Sequence, residues 1–83
     1  MAPIKKSHTI TLRVIDQPGV LVRVAQVFTR RSFNIDSLQV KSVSENEKQA
    51  DIIITAHGDS QLLHQVTMQL QKIITVLDVT DSV

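Results

Sequence analysis

Apolar and polar residues alternate from His8 to Ile15, with Ile10, Leu12 and Val14 on one face and Thr9, Thr11 and Arg13 on the other. A period of two is that of a strand with one buried face. Asp16-Gln17-Pro18-Gly19 then supplies turn chemistry, and the period changes. Leu21, Val24 and Phe28 recur at i, i+3 and i+7, flanked by Val20 and Val27, while Arg23, Gln26, Arg30 and Arg31 take the other side. This predicts an amphipathic helix with one face on a sheet. Arg30 and Arg31 fall in its last turn, where the helix dipole favours cations, a role preferred for both over the alternative of ligand binding.

Asn34 to Val43 reads as a second strand, and its apolar parity slips between Ile35 and Leu38, predicting a bulge near Asp36-Ser37. Ser44-Glu45-Asn46-Glu47 forms a polar hairpin connection to a third strand, Ala50 to His57. There Ile52-Ile53-Ile54 is apolar on both faces, which predicts cover on both sides of the sheet and makes the surface around Ile53 a docking candidate. Gly58-Asp59-Ser60 offers an N-cap oxygen to a second helix marked by Leu63, Val66, Leu70 and Ile73. Val76 to Val83 closes as a fourth strand, with Leu77 and Val79 alternating against Asp78 and Thr80.

The order β-α-β-β-α-β predicts an α+β, ferredoxin-like fold: a four-stranded antiparallel sheet with two helices on one face. The first and third strands are central, where a doubly apolar third strand belongs. Residues 1–6 are expected to be a flexible N-terminal tail, and 7–83 a single domain. The second strand, with Leu38, Val40 and Val43, is the longer exposed edge, and pairing it across a two-fold axis predicts a homodimer.

Composition narrows the function. Nine Lys and Arg against eight Asp and Glu give a net charge of +1, too little field to steer nucleic acid. No run approaches the roughly 20 apolar residues of a membrane span, and no apolar signal core follows Lys5-Lys6, so the expected location is cytoplasmic. The absence of cysteine excludes thiolate catalysis and cysteine metal sites. No phosphate-binding glycine loop, H-E-x-x-H or G-x-S-x-G occurs, and the carboxylates stand beside turns or on outward strand positions. No catalytic residue and no metal site is expected. Of His8, His57 and His64, only the first two could approach each other at a sheet end, and all three read as solvated.

The informative segment is Val14 to Leu21. A strand ends, Gly19 lets the backbone approach a ligand, and a helix begins with free N–H groups and the positive end of its dipole, a geometry that holds a carboxylate. Asp16 could accept from the ammonium of the same zwitterion. A second reading needs no ligand: Asp16 makes an Asx turn and Gly19 only permits it.

Asp16-Gln17-Pro18-Gly19-Val20-Leu21 with Arg23-Val24, then Phe28-Thr29-Arg30-Arg31-Ser32-Phe33-Asn34-Ile35-Asp36-Ser37-Leu38, resembles the opening of acetolactate synthase regulatory (small) subunits, which are ACT domains. Gln69 to Val79 is also similar to that family, so the resemblance covers about residues 7 to 81. It implies a single ACT domain of short form, a homodimer through second-strand edges, and a branched-chain amino-acid effector, usually valine, at the interface. Carried over by position, one subunit contributes Asp16, Gly19, Val20 and Leu21, and the other Asn34, bonding the ligand's polar end, and Ile35, touching its side chain. Where the family often has Asn, this chain has Asp16, an acceptor that must face the ammonium. The resemblance further implies a catalytic subunit as partner, and that thiamine diphosphate, magnesium and FAD reside on that subunit, with no cofactor here. The alternative is a free-standing ACT-type sensor, or an oligomerisation module, serving another enzyme.

Overall fold

The alternation beginning at His8 becomes a strand, β1 (Lys5–Ile15), that buries Ile10, Leu12 and Val14. The computed structural model describes residues 5–44 and 48–82. The elements that follow are α1 (Val20–Arg30), β2 (Asn34–Ser44), β3 (Gln49–Asp59), a 3-10 turn (Ser60–Leu62), α2 (Leu63–Gln71) and β4 (Val76–Ser82). Strand order is β2-β3-β1-β4, and each neighbouring pair is antiparallel. This is the ferredoxin-like α+β fold read from the element order, with β1 and β3 central. Lys5 and Lys6, expected in the tail, pair with Asp59 and Gly58, while residues 1–4 and the hairpin residues 45–47 lie outside the described residues.

One core holds the layers together. Val20, Val24 and Phe28 of α1 and Val66 and Leu70 of α2 pack with Ile10, Leu12 and Val14 of β1 and Ala50, Ile52, Ile54 and Ala56 of β3. The α1 stripe therefore runs through Val20 rather than Leu21, which is 43% exposed on the flank of the helix. The helix ends in a Schellman motif: Phe33 N–H donates to Phe28 O (3.0 Å) and Ser32 N–H to Thr29 O (3.1 Å), with Ser32 at φ 60°. The hydrophobic contact that goes with this motif is made by Phe28 and Phe33, edge to face at 6.3 Å between centroids. Asp59 Oδ1 accepts from Gln61 N–H at 3.0 Å and so caps the 3-10 turn that leads into α2, while α2 itself, beginning at Leu63, has no side-chain cap.

The outer face of the sheet differs from expectation. Burial alternates strictly along β3, so Ile53 points outward alone, between Thr11 of β1 and Gln39 of β2. Nearby on that face Arg13 grips Asp51 with two hydrogen bonds of 3.0 and 3.2 Å. Three consecutive isoleucines carry no parity, and their polar neighbours Asp51 and Thr55 set this face; it is polar and not the apolar docking surface anticipated around Ile53. In β4 a register shift opposite Arg13 and Val14 buries Val76 and half-buries Val79, leaving Leu77 exposed. The bulge predicted in β2 is present between Ile35 and Ser37.

Candidate functional site

The turn after β1 is fixed by its backbone. Ile15 N–H donates to Thr75 O (2.8 Å), and Asp16 N–H donates to Lys48 O (2.6 Å), tying the turn to the β2–β3 hairpin. Gly19 stands at φ +87°, the left-handed region that an L side chain adopts only under strain. No atom lies within 4 Å of where its Cβ would be, so the space before it is open. No side chain caps α1. Val20 N–H turns back to Gln17 O (3.3 Å), while Leu21 and Val22 N–H groups have no acceptor among the described residues. Asp16 is exposed, and among the described residues its carboxylate accepts no hydrogen bond, so the Asx-turn alternative is not what forms.

Around this turn lies a cavity of about 300 Å³, at the small end of the roughly 300–1,000 Å³ typical of ligand sites. Asp16, Gly19, Val20 and Leu21 line it, with Gln17, Pro18 and Val22 from the same segment, Val14 and Ile52 below, and Val40 from β2. Its lower wall is thus aliphatic, and its upper rim carries free N–H groups and one carboxylate. Val40 escaped the sequence reading, although the signal was there. Leu38 and Val40 lie two apart, opposite Ile54 and Ile52, on the helix side of an edge the helices do not reach, and stay 37% and 47% exposed.

Asn34 and Ile35 are not brought to this cavity. They begin β2 after α1 has run its length, 11 residues or about 16 Å, and Asn34 pairs with His57 at the other end of β3. Beside Asn34, His57 Nδ1 lies 2.8 and 2.9 Å from the carboxylate oxygens of Asp36. The two histidines that could have approached each other, His8 and His57, are on opposite faces. His8 is buried on the core side with its ring 6.4 Å from that of Phe33, a correction to its solvated reading, while His57 faces outward. Among the described residues no group of three His, Asp or Glu side chains is placed to hold a metal ion, and no helix is long and apolar enough to cross a membrane.

The family model described as the AHAS small subunit-like ACT domain matches residues 10–78. The chain belongs to that ACT-domain family. It is 47% identical over 75 residues to a probable acetolactate synthase small subunit of Methanothermobacter thermautotrophicus, an alignment covering 90% of this chain and 44% of that protein. An acetolactate synthase small subunit of Mycobacterium bovis is 41% identical over 76 residues, covering 92% and 45%. The crystal structure of the acetolactate synthase small subunit from Thermotoga maritima superposes with a TM-score of 0.76 at 34% identity, covering 92% of this chain and 47% of that one. This ACT domain therefore spans just under half the length of the relatives it matches.

Proposed function

We propose that this ACT domain is the amino-acid-sensing part of a non-catalytic regulatory subunit of acetolactate synthase. It binds a branched-chain amino acid, valine first, and through it controls the catalytic subunit, where thiamine diphosphate, magnesium and FAD would reside. The reading is carried by the cavity at the β1–α1 turn, whose free Leu21 and Val22 N–H groups stand over an aliphatic wall. An amino-acid carboxylate would meet those N–H groups and the positive end of the α1 dipole. The ammonium would face Asp16, and the aliphatic side chain would rest against Leu21, Val20 and Val40.

The second half of the site is assigned to a second copy of the chain. Two β2 edges paired antiparallel about a two-fold axis bring the start of one strand towards the end of the other. Asn34 and Ile35 of the partner would then approach the Val40 end of β2 that borders the cavity. That pairing also covers Leu38, Val40 and Val43, exposed by 37–47% in the single chain. Effector binding at such a junction transmits a signal only through a difference in affinity between two dimer arrangements.

Calorimetric titration with valine tests the assignment. Asn34→Ala should weaken binding by about 1–3 kcal/mol, the cost of a lost polar partner in a desolvated site. Gly19→Asp should abolish it by straining a positive φ and placing a carboxylate against the ligand's own. Valine binding unchanged in both variants would overturn the site. Co-purification with a thiamine-dependent catalytic subunit tests the partner.

A further inference from the structure

The two helices carry an electrostatic asymmetry that amino-acid sensing does not use. From Gln17 to Ile35 and from Ser60 to Leu77 there is no Asp or Glu, while Arg23, Arg30, Arg31 and Lys72 all fall in those segments. The four cations meet in one place, an open groove of about 620 Å³ between α1 and α2, lined also by Gln26, Gln65 and Gln69. On the sheet, by contrast, Arg13 is answered by Asp51. None of the four groove cations has a carboxylate within ion-pair distance among the described residues.

Helix electrostatics explains only part of this. Arg30 and Lys72 sit at helix C-termini, where the dipole favours cations, but Arg23 is in the first turn of α1, where it disfavours them. Arg31 Nε is shielded from solvent and finds no acceptor among the described residues, and buried polar atoms of folded proteins nearly always have a partner, whether protein, water or ion. Gathering like charges without a counter-charge costs stability, and an anion from outside the chain would relieve that cost.

We propose that the α1–α2 groove is a second binding site, separate from the β1–α1 cavity, for a small linear polyanion of the phosphoryl class. Three of the four cations are arginines, whose planar forks hold tetrahedral oxyanions with paired hydrogen bonds, and the three glutamines add amide donors. Arg23 and Arg30 are seven residues apart on one helix, roughly 10 Å, so the groove is charged along its length and matches a chain of phosphates better than one ion. An acidic peptide fits less well. Only half-buried Val27 and buried Ile73 offer apolar surface, too little to reward a peptide's side chains.

The test is titration of the full chain with tripolyphosphate at constant ionic strength, followed by calorimetry and by amide NMR shifts. Expected is saturable binding of one ligand per chain, with shifts at Arg23, Gln26, Arg30, Gln69 and Lys72. Arg23→Gln and Lys72→Gln should each weaken it about ten-fold, as loss of a charge-assisted hydrogen bond does, while Lys41→Gln on the outer face leaves it unchanged. A non-saturating response, or equal weakening by Lys41→Gln, means diffuse charge attraction and overturns the site. Tighter binding of citrate overturns the phosphoryl class, and binding of a glutamate-rich peptide but not tripolyphosphate reassigns the groove to a protein partner. Valine binding is measured in the same variants. Its retention when tripolyphosphate binding is lost separates the two sites.

Discussion

Two residues around Phe33, Ser32 in the loop after α1 and Gly58 in β3, decide how α1 is fastened to the sheet. Ser32 holds φ 60° to complete the Schellman motif, a position glycine occupies without steric cost. Ser32→Gly should therefore raise stability by up to about 1 kcal/mol, read as a shift of the urea midpoint at unchanged slope. Gly58 shows the opposite constraint. A Cβ there would stand 2.7 Å from Cδ1 of Phe33, a ring only 2% exposed between His8 and Phe28. Gly58→Ala should cost about 1–3 kcal/mol by overpacking, and a paired Phe33→Leu change should recover part of the loss. Neither constraint was visible in the sequence, because a serine in a left-handed cap and a glycine beneath a ring leave no periodic trace.

Whole elements were far more legible, and the reason is physical. Period two in β1 and the 3.6-residue stripes in the helices follow from which face meets the core, so His8 to Ile15 and Val24 to Phe28 announced themselves. Leu21, Leu77 and Ile53 misled because each is apolar for a reason other than the core: Leu21 walls the cavity, Leu77 rides a register shift, and Ile53 stands alone on a polar face. That polar face carries its own prediction. The Arg13 guanidinium, by hydrogen bonds and then charge, holds the Asp51 carboxyl below its usual range. Its folded-state pKa is depressed, so its contribution is present above the unfolded value and is lost as pH falls through the folded one. Because the pair is solvated, the effect is small and screened. Asp51→Asn should flatten the acid limb of stability slightly, and a high-salt buffer should erase the difference between the two proteins.

At the scale of the molecule, the turn proposed from the sequence was legible as one cavity, and the residues expected to complete it are not brought there by the single chain. Asp16, Gly19, Val20 and Leu21 line one cavity, whereas Asn34 and Ile35 stand about a helix length away. Under the proposed function a second copy of the chain would have to complete the site, and association and effector binding would then belong to one equilibrium. Val40→Glu and Leu38→Lys, on a strand edge that needs no internal partner, should leave the fold intact by circular dichroism and shift the sedimentation profile from dimer to monomer. Valine affinity should fall with them. A monomeric variant that still binds valine at full strength would mean that the turn alone suffices.

The 2.6 Å bond from Asp16 N–H to Lys48 O has a wider meaning. It couples the β1–α1 turn to Lys48, the residue that leads into β3. Under the proposed function, changes in length or charge between Ser44 and Lys48 would tilt the β1–α1 turn through that bond and so retune affinity while every cavity side chain stays the same. Hairpins drift readily in sequence because their tips tolerate insertion. Related domains could thus acquire different thresholds for one metabolite by varying a segment that a comparison of pocket residues would never inspect.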